Sequence, residues 1–174
     1  TDWFNEVYGT GISQNYQLQV SDGNDRLRYF ISGGYLNEQG ILSSAFFRRF
    51  NFRSNVESQI RKWFHLGVNI SYSDNTSNGV TTGQGSNRGG VVLAVVNLPT
   101  AATIRDEETG LYNRLFFGQN IANPLEEIAN GENNKNNETR LIGSANATIT
   151  FSPKLNLKST FTMDRRNGKI TGPW

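Results

Sequence analysis

The 174-residue sequence carries a net charge of +2, with Lys and Arg scattered along it, which excludes the basic footprint of a nucleic-acid-binding domain. It has no cysteine, so a disulfide scaffold, a thiolate zinc site and a cysteine nucleophile are excluded together. Only 36% of residues are hydrophobic while aromatics reach 11%, and 18 glycines against 4 prolines suit turns joining extended strands better than a helical bundle.

Thr1 is followed by neither a basic n-region nor an apolar h-region, so no signal-peptide pattern opens the sequence. Alternation at period two then recurs in segment after segment. Near residues 13–21, Tyr16, Leu18 and Val20 stand against Asn15, Gln17 and Gln19, which predicts a strand with one oily and one wet face. A second strand, near 26–36, alternates less cleanly because Gly33 and Gly34 interrupt it. Two missing side chains there permit a bend or bulge, or the close approach of a neighbouring backbone or an internal domain. Near 47–58, Phe50, Phe52 and Val56 oppose Asn51, Arg53 and Asn55, and near 64–74 Leu66, Val68, Ile70 and Tyr72 oppose Gly67, Asn69 and Ser71.

Residues 75–137 form one long connection, beyond the ~12–15 residues at which structureless loops become uncommon, so internal structure is expected. Gly89 to Asn97 reads as a short apolar helix halted before Pro99. Its run from Val91 to Val96 falls far short of the ~20 residues that a membrane-spanning helix needs. Asp106 to Gly110 reads as a turn; Asn123, Pro124 and Gly131 read as N-cap, first-turn proline and C-terminal glycine of a helix; residues 130–137 read as an exposed polar tip. Strands resume near 138–151, with Gly143, Ala145, Ala147, Ile149 and Phe151 against Ile142, Ser144, Asn146, Thr148 and Thr150. The last lies near 155–166, with Leu155, Leu157, Phe161 and Met163 against Asn156, Lys158, Thr160 and Thr162.

About six strands of roughly 10 to 12 residues exceed the ~5–6 typical of soluble sheets and match the ~9–11 tilted residues that cross an outer membrane. Connections alternate short and long: 22–25, 37–45, 59–63, 75–137 and 152–154. That asymmetry is expected of a barrel with tight turns at the periplasmic rim and loops outside. The predicted fold is therefore all-β, a segment of an antiparallel up-and-down transmembrane barrel with residues 75–137 as its external loop. Asn69, Ser71, Asn146, Thr148 and Thr150 are candidates for the lumen face. Trp63, beside a short turn and next to Arg61 and Lys62, is the candidate for an interfacial aromatic girdle.

The segment Tyr29-Phe-Ile-Ser-Gly-Gly-Tyr-Leu-Asn-Glu-Gln-Gly-Ile41, preceded by Asn15-Tyr-Gln-Leu-Gln-Val-Ser-Asp-Gly23, resembles the barrel of the SusC/RagA family of TonB-dependent outer-membrane transporters. So do Arg49-Phe-Asn-Phe-Arg-Ser-Asn55, Lys62-Trp63 and Leu66-Gly-Val-Asn-Ile-Ser-Tyr-Ser73, with weaker echoes at Leu98-Pro99-Thr100, at the acidic turn before Gly110 and Tyr112, and at Asn123-Pro-Leu125. The resemblance implies a Gram-negative outer-membrane location, a 22-stranded barrel with an N-terminal plug, and energy coupling through TonB by a part of the protein outside this sequence. It also implies a SusD-like surface lipoprotein partner and import of oligosaccharides or peptides. About six strands cannot close such a barrel, so the chain is expected to be an excerpt, its open edges paired by neighbouring strands.

Other motifs are weaker. Asp74 to Gly79 imitates the start of a calcium loop, but Thr76 and Gly85 stand where ligands belong, and Gly83, Gly85 and Gly89 miss dinucleotide-loop spacing. His65 has no second ligand nearby in sequence and is expected on the wet side near a turn. Asp106, Glu107, Glu108, Glu126 and Glu127 read as surface acids, not a glycosidase pair. The chain is expected to be no enzyme and to hold no cofactor or metal. Asn69, Asn75, Asn137 and Asn146 begin glycosylation triplets that mean nothing in a bacterial barrel. Two alternatives remain open on the residues: a soluble β-sandwich carbohydrate-binding module, and an adhesin or autotransporter barrel.

Overall fold

The computed structural model describes residues 1–79, 90–116, 119–120 and 122–172. In chain order its elements are α1 (Trp3–Val7), β1 (Ile12–Gly23), β2 (Leu27–Gln39), β3 (Phe46–Arg61), β4 (Phe64–Asn78), α2 (Gly90–Asn97), β5 (Leu115–Phe116), β6 (Gln119–Asn120), α3 (Pro124–Asn133), β7 (Lys135–Ser152) and β8 (Leu155–Thr171). Six strands form one antiparallel sheet in the order β1-β2-β3-β4-β7-β8, while β5 and β6 pair as a separate hairpin. The sheet is open, with β1 and β8 at its edges.

Each strand of the sheet pairs with the next of the six in chain order, through a short connection everywhere except between β4 and β7, which the long connection joins. Asn24 closes the first turn: its Oδ1 accepts from the backbone N–H of Arg26 at 2.8 Å and of Leu27 at 2.9 Å, an Asx arrangement that mimics backbone. The ladder shifts register near the tight turns, between Gln59 and Arg61 and between Thr150 and Ser152. At Gly33–Gly34, where the sequence allows a bulge, pairing to both neighbours is unbroken. The glycine serves close approach instead, because a Cβ on Gly34 would lie 2.6 Å from the Asn51 side-chain oxygen. Pairing of β4 with β7 runs on to Asn78 and Lys135. Alternation of apolar residues cannot mark that end, since both strands are polar there and are held by backbone hydrogen bonds and by Thr76 Oγ1, which donates to Asn137 Oδ1 at 3.0 Å.

The long connection folds as helices bound to the rim. α2 ends at Asn97, and Pro99 lies two residues beyond it. α3 has Asn123 as N-cap and Pro124 in its first turn, but it runs through Gly131 to Asn133. Gly131 is therefore a buried helical residue and not the stop. The stretch 130–137 is helix followed directly by strand, anchored where Gly79 N–H donates to the Asn134 carbonyl at 2.7 Å, so it is no free tip. The turn after Asp106 is present: Asp106 Oδ1 accepts from the Thr109 N–H at 2.8 Å, and Gly110 adopts φ +70.

Asn123 shows how tightly this layer is built. It is 1% exposed; Nδ2 donates to the carbonyls of Ile104 at 2.9 Å and Asn113 at 3.1 Å, and Oδ1 accepts from Leu125 N–H at 3.1 Å. Asn123→Ala is expected to cost this layer about 1–3 kcal/mol, and Asn123→Asp at least as much, because Asp keeps the cap but sets a buried carboxylate oxygen against two carbonyl acceptors. Amide exchange along α3 checks the order; equal protection in both variants and wild type would refute it.

Candidate functional site

Directly opposed residues in an antiparallel ladder share a face, so the register sorts every strand residue. One face carries Tyr16, Leu18 and Val20 of β1, Tyr29, Ile31 and Tyr35 of β2, Phe50, Phe52 and Val56 of β3, and Leu66, Val68, Ile70 and Tyr72 of β4. It continues with Leu141 and Ile149 of β7 and Leu157, Phe161 and Met163 of β8. On strands flanked on both sides these side chains stay open: Ile31 is 37% exposed, Ile70 40% and Phe50 46%. Among the described residues no second sheet covers them, so no sealed interior of the kind a β-sandwich has is seen there.

The hydrophobic residues that are buried lie elsewhere. Trp3, Val7, Leu42, Val91, Ala94, Val95, Leu98, Ala102 and Ile128 form one cluster joining α1, α2, α3 and the β2–β3 connection. Trp3 Nε1 donates to the Pro99 carbonyl at 3.2 Å, and Tyr8 bridges to Leu42. A small core thus sits above one rim of the sheet, and the sheet itself has none among the described residues.

The opposite face is polar. Asn69 pairs with Ser144, Ser71 with Ile142, Asn146 with Gly67, Thr148 with His65, and Thr150 with Asn156, so the five lumen candidates and His65 share it. Gly67 makes room for Asn146, whose Nδ2 would stand 2.6 Å from a Cβ there. A groove of about 550 Å³ lies on this face, lined among others by Gln17, Gln19, Arg49, Arg53, Ser73 and Asn75. Toward the loop rim β7 and β8 carry a charge ladder. Arg140 and Arg166 face each other across it, and each turns to a diagonal acid: Arg140 holds both Asp164 oxygens at 3.1 and 2.6 Å, and Arg166 reaches Glu138 at 2.5 Å. Sequence inspection passed over this ladder; residue parity along 138–140 and 164–166 is the signal that marks it.

Trp63 sits in the tight turn between β3 and β4, 54% exposed, with its ring centroid 5.8 Å from that of Phe64. At the other end of the apolar band Phe50 and Tyr72 approach to 6.4 Å. Beyond them, Arg48 lies over the Phe46 ring at 5.0 Å. Of the loop acids, Glu126 is bound by Arg114, and that hydrogen bond with its charge holds the carboxyl below the usual range. Asp106 is lowered chiefly by the Thr109 N–H. Both acids are thus held by neighbouring groups of their own loop. Among the described residues no group of three His, Asp or Glu is placed to hold a metal. Gly83, Gly85 and Gly89 lie outside the described residues.

No family model matches the chain. It is 30% identical to "TonB-dependent receptor P3" of Formosa agariphila over 98% of its own length and 26% identical to "TonB-dependent receptor P26" of the same organism over 97%. It spans only 17% and 16% of those two relatives. "TonB-dependent receptor SusC" of Bacteroides thetaiotaomicron is 31% identical over 71 residues, 41% of this chain and 7% of that protein. Among solved structures, the RagAB peptide importer in its closed-closed state matches the fold with TM-score 0.74 at 21% identity, covering 97% of this chain and 19% of that one.

Proposed function

We propose that this chain, which is a barrel segment of a SusC/RagA-like TonB-dependent transporter, supplies six neighbouring wall strands and an external cap to a Gram-negative outer-membrane importer. The single observation that carries this reading is the two-faced sheet. Apolar side chains remain open on flanked strands of one face, a charged groove occupies the other, and the buried core lies above one rim. Lipid is the covering that such an apolar face fits, because every internal backbone group is already paired within the ladder.

The dimensions agree. From Phe64 to Tyr72 the band of β4 spans about 26 Å along the strand at ~3.3 Å per residue, or some 20 Å along the membrane normal at the usual ~40° tilt. β4 has 15 residues, so its polar end stands clear of the hydrocarbon on the cap side. The cap side is then external and the tight turns periplasmic, which places Trp63 in the inner girdle and Tyr16, Tyr35, Phe50 and Tyr72 in the outer one. Asn69, Ser71, Asn146, Thr148 and Thr150 line the channel.

In the whole protein, TonB contact is made by a part outside this sequence, a SusD-like lipoprotein lids the cap side, and the cargo is an oligosaccharide or peptide. The names of the similar proteins support an importer over an adhesin barrel. The full-length protein, extracted in detergent, is expected to migrate faster on gels unboiled than boiled, as closed barrels do. Identical mobility in both states would sink the proposal.

A further inference from the structure

We propose that the polar face carries an oxyanion-binding step centred on Arg49 and Arg53, fitted to a carboxylate on a group that also presents a hydroxyl or N–H. The inference rests on the reading of this face as a channel wall. Arg49 and Arg53 are four residues apart on β3, both on the groove side, with about 13 Å of strand between them. Both are exposed, and neither makes an ion pair or side-chain hydrogen bond among the described residues. Of the other arginines of the face, Arg140 and Arg166 are each consumed by an acid, and Arg28 stands opposite Glu57 outside the groove. The uncompensated positive charge at the groove therefore belongs to β3.

Their surroundings leave space for a ligand. Arg53 opposes Ser71 on one side and Ser32 on the other, while Asn51, between the two arginines, opposes Ser73 and Gly34. Asn75, opposite Arg49, keeps its side-chain Oδ1 buried with no hydrogen-bond partner among the described residues. A buried acceptor without a donor is costly, so it favours an incoming O–H or N–H. A guanidinium presents parallel N–H donors that match a carboxylate at two points, which a lysine at the same place would not do. One group thus satisfies both: a uronic acid residue or an acidic peptide unit, each bearing carboxylate and donor within a few ångströms. The carboxylate has two sources, cargo passing through the channel or an acidic side chain of another part of the same protein inside the barrel.

Phenylglyoxal modification of the full-length protein in detergent, mapped by mass spectrometry, tests this with Arg26, in an exposed turn, as reference. Arg49 and Arg53 are expected to react at least about tenfold more slowly than Arg26, with protection relieved near 1 M salt, where the screening length falls to ~3 Å. Protection without additive assigns the carboxylate to the protein itself. Protection that appears only with oligogalacturonate, and not with neutral maltotetraose, assigns it to cargo, and R49Q/R53Q then weakens oligogalacturonate binding at least tenfold. Reaction at the Arg26 rate under every condition, or protection indifferent to salt, overturns the proposal. A protein that keeps its heat-dependent mobility yet leaves both arginines unprotected removes this inference alone; loss of that mobility shift removes the premise.

Discussion

Ile70→Arg is expected to destabilise the membrane-inserted full-length protein by about 1–3 kcal/mol, whereas Asn69→Arg, one residue earlier, changes it by under about 1 kcal/mol. Ile70 lies within the apolar band, between its midpoint at Val68 and the girdle residue Tyr72, opposite Ser54 on β3 and Gly143 on β7. Its neighbours are small, so an arginine there would meet no protein charge and would have to reach an interface through hydrocarbon. Asn69 points to the polar face, where its amide donates to Ser144 Oγ at 3.4 Å and water can hydrate a guanidinium. Urea titration of the protein refolded into phospholipid vesicles measures both. Equal losses in the two variants would mean that the faces are wrongly assigned, and a soluble reading would predict little cost for a charge at a 40%-exposed site.

The second large effect is expected in the cap. Trp3 is 2% exposed and packs in the cluster that includes Val7, Val91, Ala94 and Ile128, so Trp3→Ala removes a large buried surface together with the indole's bond to Pro99. Truncation of a core tryptophan costs about 3–5 kcal/mol. Since 1.4 kcal/mol is a factor of ten, amide exchange in α2 and α3 should accelerate at least about 100-fold. The wall strands and the heat-dependent mobility should be unaffected, because their stability comes from the ladder and the lipid and not from this cluster. Unchanged exchange in α2 and α3 would show that the cap is not one cooperative unit. Through Trp3 the segment before β1 ties the long connection down, and it is itself fixed to the β2–β3 connection, with Ser43 N–H donating to Val7 and Gly9 N–H to Ile41.

Much of this architecture is written locally. Period-two alternation marks which residues of each strand share a face, and Asn123-Pro124 marks the start of α3, since N-capping and a first-turn proline involve only adjacent residues. The end of α3 was not legible in the same way. Gly131 has the residue type of a helix stop, but it is buried, and packing against the cap keeps the helix going to Asn133. The expectation of a loop tip at 130–137 failed for the same reason, although Asn130, Glu132, Asn133, Lys135 and Asn136 are exposed polar residues as expected. The arginine ladder and the Arg49–Asn75 juxtaposition were equally hidden, because they depend on which residue of one strand stands opposite which residue of another, fixed only once turns and register are set.

By itself the sequence determined the six two-faced strands, their antiparallel succession and the contrast between tight turns and long connections, all of which arise from interactions within a few residues. Only the tertiary structure decided that the apolar faces meet no protein partner among the described residues, and that the buried core belongs to a cap joining α1, residues 40–45 and the long connection. The physical reason is that alternation says a side chain avoids water on one face without saying what replaces it. That is decided by contacts between residues some ninety positions apart, such as Trp3 and Pro99.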